Sequence, residues 1–216
     1  MTSRVSADGM SQVDASGGPT WTRRASPDRS FSSFSSFSRF VARIWDVPER
    51  SDVQHKALAP TSVRCYIVTV SDTRTEETDT GGRAVAELLT AAGHKVVGRV
   101  IVKDDPALVR GAIERQLASA DVQVVIATGG TGITSRDCTF EAVDALLEKR
   151  LDGFGELFRM LSFEQIGPAA MMSRASAGLT AGKIVASLPG SEAAVRLALE
   201  RLLLPELGHL VQQASR

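Results

Sequence analysis

Cysteine and histidine are scarce in this chain, and their scarcity removes whole classes of chemistry. The two cysteines, Cys65 and Cys138, lie in separate segments and form no Cys-x-x-Cys, while the three histidines (His55, His94, His209) are scattered, so a zinc or disulfide architecture is unsupported. Excess charge of either sign is also missing. The 25 Lys and Arg balance the 25 Asp and Glu, which leaves no global basic field to recruit nucleic acid or an anionic membrane. No stretch approaches the roughly 20 apolar residues of a membrane span, and the N-terminus lacks a continuous apolar signal-peptide core. These absences predict a soluble, cytoplasmic protein that uses neither nucleic acid nor membrane as a partner.

The first 61 residues differ in kind from the rest. They mix Ser, Gly, Pro and Arg, and the run Ser30-Phe31-Ser32-Ser33-Phe34 continues in the same style to Phe40, a composition that cannot sustain an independent core. Residues 1–61 therefore read as a largely disordered N-terminal extension. Within it Phe37, Phe40, Val41 and Ile44 recur at helical spacing with Trp45 next, which makes 31–45 a candidate amphipathic arm. The Arg and Ser content also suits an organellar transit peptide, but Asp8, Asp14 and Asp28 count against one.

From residue 62 to 216 strand and helix patterns alternate. A strand Val63 to Val70 precedes a helix with Val85, Leu88, Leu89 and Ala92 on one face, closed by Gly93. A strand Lys95 to Val102 precedes a helix that opens at Asp105-Pro106, an N-cap followed by proline at the first helical position. A third strand over Val122 to Ala127 leads through a Gly-rich loop into a helix carrying Phe140, Val143, Leu146, Leu147 and Leu151. Next come the glycine-punctuated Asp152 to Glu156, then Leu157 to Ile166, the polar Ser173 to Ser176, a strand Lys183 to Leu188 and a last helix. The expectation is an α/β domain whose mostly parallel sheet carries helices on both faces.

The Gly-rich loop is Thr128-Gly129-Gly130-Thr131-Gly132-Ile133-Thr134-Ser135-Arg136-Asp137. Three glycines within four residues let backbone N–H groups approach a phosphate. No Gly-Lys-Ser/Thr follows, so this is not a Walker A loop, and the third glycine of a dinucleotide fingerprint is missing. Parallel strands share a direction, so the loops after Val70, Val102, Ala127 and Leu188 should leave the same sheet edge. They carry Ser71, Asp72, Arg74 and Asp79, then Asp104 and Asp105, then the loop with Asp137, then Pro189, Gly190 and Ser191. A phosphate cradle ringed by carboxylates suits Mg²⁺ with a nucleotide. Asp105 is spent as a cap, which leaves Asp104 freer to face ligand, and Thr139 can cap the helix after the loop so that Asp137 need not. Arg74 and Arg136 suit phosphate binding or a solvated surface equally. Cys138 has no His in its segment and reads as a small filler at a helix start.

In order along the chain, Thr69-Val70-Ser71-Asp72-Thr73-Arg74, the run Thr128 to Gly132 with Arg136-Asp137, Gly153-Phe154-Gly155-Glu156 with Arg159 and Ser162, Ser173-Arg174-Ala175 and Leu188-Pro189-Gly190-Ser191 resemble the molybdopterin-binding family. The likeness spans about residues 62–210 and takes in two branches, molybdenum cofactor biosynthesis protein B and molybdopterin adenylyltransferase. The spellings Leu157 to Glu164 and Pro-Gly-Ser are closer to the first branch. The resemblance implies the molybdopterin-binding fold, ATP and molybdopterin as substrates, Mg²⁺ as cofactor, and a homotrimer or homohexamer. It also implies AMP transfer from Mg-ATP to molybdopterin, with a non-catalytic molybdopterin-binding or carrier module as the alternative. On this pattern Asp104 and Asp137 are the catalytic and metal-binding aspartates. Ser71, Asp72, Thr128, Gly129, Gly130, Thr131, Gly132, Pro189, Gly190 and Ser191 line the cleft, and Ser162, Ser173 and Arg174 fall on the pterin side.

Overall fold

The computed structural model describes residues 59–216, so the extension and the arm expected at 31–45 lie outside the described residues. Six strands, β1 (Arg64–Val70), β2 (Lys95–Val102), β3 (Val124–Thr128), β4 (Lys149–Arg150), β5 (Ser176–Thr180) and β6 (Lys183–Leu188), form one sheet in the order β2-β1-β3-β6-β5-β4. β2, β1, β3 and β6 pair in parallel with one another, whereas β5 pairs antiparallel with both β6 and the edge strand β4. The expected mostly parallel sheet is thus present, with a reversed margin added.

Period-two alternation sends each central strand's side chains into two cores. On one face Cys65 and Ile67, Val124 and Ile126, and Ile184 and Ala186 pack against α1 (Thr80–Ala91), α4 (Asp152–Ile166), α5 (Glu192–Ala198) and α6 (Leu204–Ala214). On the other, Val68 and Val70, Val125 and Ala127, and Val185 meet α2 (Pro106–Ala118) and α3 (Thr139–Asp144). Helices cover both faces, and a π-helical turn, Leu199–Leu203, joins α5 to α6. Among the described residues no helix is long and apolar enough to cross a membrane.

One element corrects the sequence reading and another completes it. The helix expected to run to Leu151 ends at Asp144, and Lys149–Arg150 pairs instead with Leu179 and Gly178 of β5. Tertiary pairing overrides the helical period because Gly178 has no side chain: a Cβ there would lie 2.5 Å from the Lys149 carbonyl oxygen. The glycine-punctuated Asp152 to Glu156, to which the sequence assigns no element, is the first turn of α4. Burial of Phe154 and Phe158, whose rings stack at 6.4 Å, outweighs the roughly 1 kcal/mol that each helical glycine costs relative to alanine.

Candidate functional site

The four parallel strands end at one edge, and the loop after β3 turns there by taking positive φ at Gly129 (+98°) and Gly130 (+61°). A Cβ at Gly129 would sit 2.2 Å from the Val70 carbonyl oxygen, and one at Gly130 would sit 2.3 Å from Thr139 Oγ1 and 2.8 Å from Asp104 Oδ1. Only glycine lets this loop nest between its neighbours. The Gly129 N–H donates to the Leu188 carbonyl (3.0 Å), and the Thr128 hydroxyl donates to the Pro189 carbonyl (3.1 Å). Gly190 lies against Gly129, 3.1 Å from that Cα by its own would-be Cβ, so the Gly-rich and Pro-Gly-Ser loops form one surface. Thr131 is buried within it.

The two aspartates expected at the centre both abut this loop. Asp104 Oδ1 accepts from the Cys138 N–H (3.2 Å) and thiol (3.0 Å), and Oδ2 has no donor among the described residues. Asp137 Oδ2 accepts from the Thr134 hydroxyl (2.6 Å) and N–H (2.9 Å) and stands 2.6 Å from a would-be Gly132 Cβ. The Thr134 hydroxyl foremost, then backbone N–H groups and Arg174, hold the Asp137 carboxyl below the usual carboxylate range. Asp105 accepts from Ala107 N–H and Leu108 N–H as the cap of α2 and does not reach the loop in this way. Thr139 does not cap α3: its hydroxyl is buried without a partner, and the Cys138 N–H is taken by Asp104 from another loop. Burial and the Asp104 carboxylate push the Cys138 thiol up to about 12, so it is a proton donor rather than a nucleophile.

Around these two groups the other predicted residues divide. Asp72 Oδ1 accepts from the Asp104 N–H (3.3 Å) and Oδ2 pairs with Arg136 at 2.5 Å, so the β1 and β3 loops are linked. Ser71 accepts from Thr73 N–H and Arg74 N–H within its own turn, and Ser191 caps α5 by accepting from Ala194 N–H. Arg74 donates to the Gly190 carbonyl (3.1 Å) and the Thr80 hydroxyl (3.1 Å), acting as a strut behind the cradle.

A cavity of about 410 Å³ opens beside the loop, between α4 and the segment Ser173 to Ala177. Arg174 joins the two regions: it donates to the Thr131 carbonyl (3.2 Å) and the Asp137 carbonyl (3.4 Å), pairs with Glu141, and stacks 5.2 Å from the Phe140 centroid. Ser173 lines this cavity, whereas Ser162 is buried in α4 outside its lining. Phe140, Arg150, Arg159 and Ser176 also line it and were not singled out from the sequence. Arg159 stood within a recognised run of residues, but Arg150 and Ser176 depend on the antiparallel pairing of β4 with β5, which no periodicity announced.

An open α/β sheet thus carries a glycine nest, two aspartates and an arginine-lined cavity at its carboxyl edge, the edge at which sheets of this class bind ligands. Residues 66–209 match the family described as probable molybdopterin binding domain, and the chain belongs to that family. Molybdenum cofactor biosynthesis protein B of Bacillus cereus is 55% identical over 167 residues, covering 77% of this chain and 99% of the relative. A crystal structure of a molybdenum cofactor biosynthesis protein B superposes with a TM-score of 0.70 at 55% identity over 72% of this chain and 98% of that one. The tungsten cofactor synthesizing protein MoaB from Pyrococcus furiosus gives 0.66 at 37% identity, over 73% and 100% of the two chains.

Proposed function

We propose that this protein transfers AMP from Mg-ATP to molybdopterin, giving adenylylated molybdopterin and pyrophosphate. A terminal phosphate oxygen of molybdopterin attacks the α-phosphorus of ATP, the bond to the bridging oxygen breaks, and pyrophosphate leaves with that electron pair. The observation that carries the reading is the contiguity of the glycine nest, Asp104 and Asp137 with the arginine-lined cavity through Arg174. A phosphate monoester is already an anionic nucleophile at neutral pH, so no side-chain base is needed and the protonated Cys138 is no obstacle.

The residues fit a magnesium ion. Among the described residues no group of three or more His, Cys, Asp and Glu gathers to make a closed protein cage. Asp104 and Asp137, with one oxygen each bound by the protein, match an ion that takes one or two carboxylates and completes its shell with water and phosphates. Magnesium would neutralise charge between the two polyanions. The chain's own part is to present the N–H groups of Gly130 and Thr131 to phosphate and to keep Asp137 ionised.

Replacing Asp137 by Asn removes the charge and keeps the shape. Product formation from molybdopterin and Mg-ATP is expected to fall by at least roughly a hundredfold, as for loss of a group that stabilises transition-state charge. Equal turnover by the two proteins would sink the role assigned to Asp137. If neither protein forms product while both bind molybdopterin, the chain is a binding or carrier module instead.

Three further parts belong to this reading. Residues 62–216 constitute the folding domain, in keeping with two hydrophobic clusters that run from Val63 to Val211. The protein works in the cytoplasm. It assembles as a homotrimer or homohexamer, for which the exposed Leu157, Met160, Phe163 and Ile166 of α4 offer an apolar surface.

A further inference from the structure

Three guanidinium groups line the cavity beside the Gly-rich loop, and two of them are already engaged. Arg174 is held by Thr131, Asp137 and Glu141, and Arg150 pairs with Asp144 (2.6 Å) and Asp152 (3.3 Å). Arg159 is half-buried and makes no hydrogen bond or ion pair among the described residues. Its direction is set by Gly155, one turn earlier in α4. A Cβ at Gly155 would stand 3.0 Å from Arg159 Nη1 and 2.9 Å from the Ala175 carbonyl oxygen, so glycine makes the space into which the guanidinium folds back. Unused polar groups accompany it. The Ser173 and Ser176 hydroxyl oxygens are buried without partners, Ser176 in a residue only 6% exposed. Leaving a buried hydroxyl unpaired is costly unless a ligand or water completes it. Glu156, on the same stretch of α4, offers a carboxylate acceptor to the same cavity.

A free fork of donors, a free carboxylate and two unsatisfied hydroxyls beside an aromatic ring match one kind of ligand edge. It is an edge with a carbonyl acceptor next to N–H donors, carried on a flat heterocycle. On the substrate assignment proposed above, that edge is the 2-amino-4-oxo pyrimidine ring of the pterin. We propose that Arg159 is a specificity-determining residue that donates to the pterin carbonyl, with Glu156 accepting from the adjacent ring N–H and amino group. This inference rests on the reading of the site as a molybdopterin site. It assigns the cavity's discrimination to a pair of side chains on α4 rather than to the phosphate cradle.

The test measures binding of molybdopterin, and of a 6-substituted pterin and the lumazine in which oxygen replaces its 2-amino group, by fluorescence titration of the full chain. The wild type is compared with Arg159→Met, Arg159→Lys and Glu156→Gln, alongside KM for Mg-ATP and the unfolding temperature. In Arg159→Met the pterin and molybdopterin affinities are expected to fall roughly tenfold to a hundredfold, the range of a lost charge-assisted hydrogen bond. KM for Mg-ATP and the unfolding temperature should stay constant. Arg159→Lys should recover part of the loss, and Glu156→Gln should narrow the preference of pterin over lumazine. Unchanged pterin binding in Arg159→Met, or an equal loss toward Mg-ATP, would overturn the inference while leaving the site reading intact. Wild-type protein that binds ATP but no pterin at all would overturn both.

Discussion

Asp79 shows how a carboxylate at the ligand edge can serve the scaffold alone. It is 1% exposed, accepts from the Thr69 hydroxyl (2.7 Å) and the Gly82 N–H (2.8 Å), and caps α1. Gly82 makes room for it, since a Cβ there would lie 2.1 Å from Asp79 Oδ2. Asp79→Ala uncaps the helix and strands a buried hydroxyl, so about 2–4 kcal/mol of stability should be lost in urea unfolding, with m unchanged. The sequence separates such carboxylates unevenly. Asp105 announces itself as a cap through Pro106, and Asp104 follows by exclusion. Thr139 misleads because it is the first residue of α3 and the N-cap position falls to Cys138, whose N–H is held by Asp104 from 34 residues earlier, and a bond between loops leaves no local spelling.

At the scale of elements, α4 depends on a glycine, a residue that ordinarily weakens a helix. Gly155 sits where the helix meets the segment before β5, and its would-be Cβ stands 2.9 Å from a backbone oxygen that cannot swing aside. Gly155→Val is expected to push α4 off that segment and cost about 2–3 kcal/mol, the range of overpacked sites, read as a lowered unfolding temperature. The parallel strands were legible because buried β-branched runs such as Val124 to Ala127 stand between clear caps and turns. The two-residue β4 and the small, polar start of β5 carry no such pattern. Their pairing is decided by what Gly178 lets approach, and the part of the cavity that they frame was correspondingly hidden.

The whole molecule closes at its first described strand. His94, after α1, accepts the Val63 N–H through Nδ1 (3.4 Å), and burial lowers its pKa below the ordinary value. The unfolded chain therefore takes up the proton first. Stability from this group is complete above about pH 6.5, the unfolded value, and is lost as pH falls through the lowered folded value. Wild-type denaturant midpoints should drop between pH 7.5 and 5 more steeply than those of His94→Gln, which keeps an acceptor without the titration. Parallel slopes would remove His94 as the cause.

The turn between β5 and β6 has a kinetic consequence. Ala181 (φ +48°) and Gly182 (φ +70°) reverse the chain within two residues, so Thr180 meets Lys183 directly. Each parallel pair, by contrast, joins residues separated by a helical crossover, as Arg64 and Lys95 are. Hairpins close in microseconds, whereas distant pairings wait on loop closure. This hairpin can therefore form before the crossovers deliver the remaining strands to it. The cradle, made only of crossover ends, is then completed late, and any ligand of it can lock the finished protein without guiding the early search.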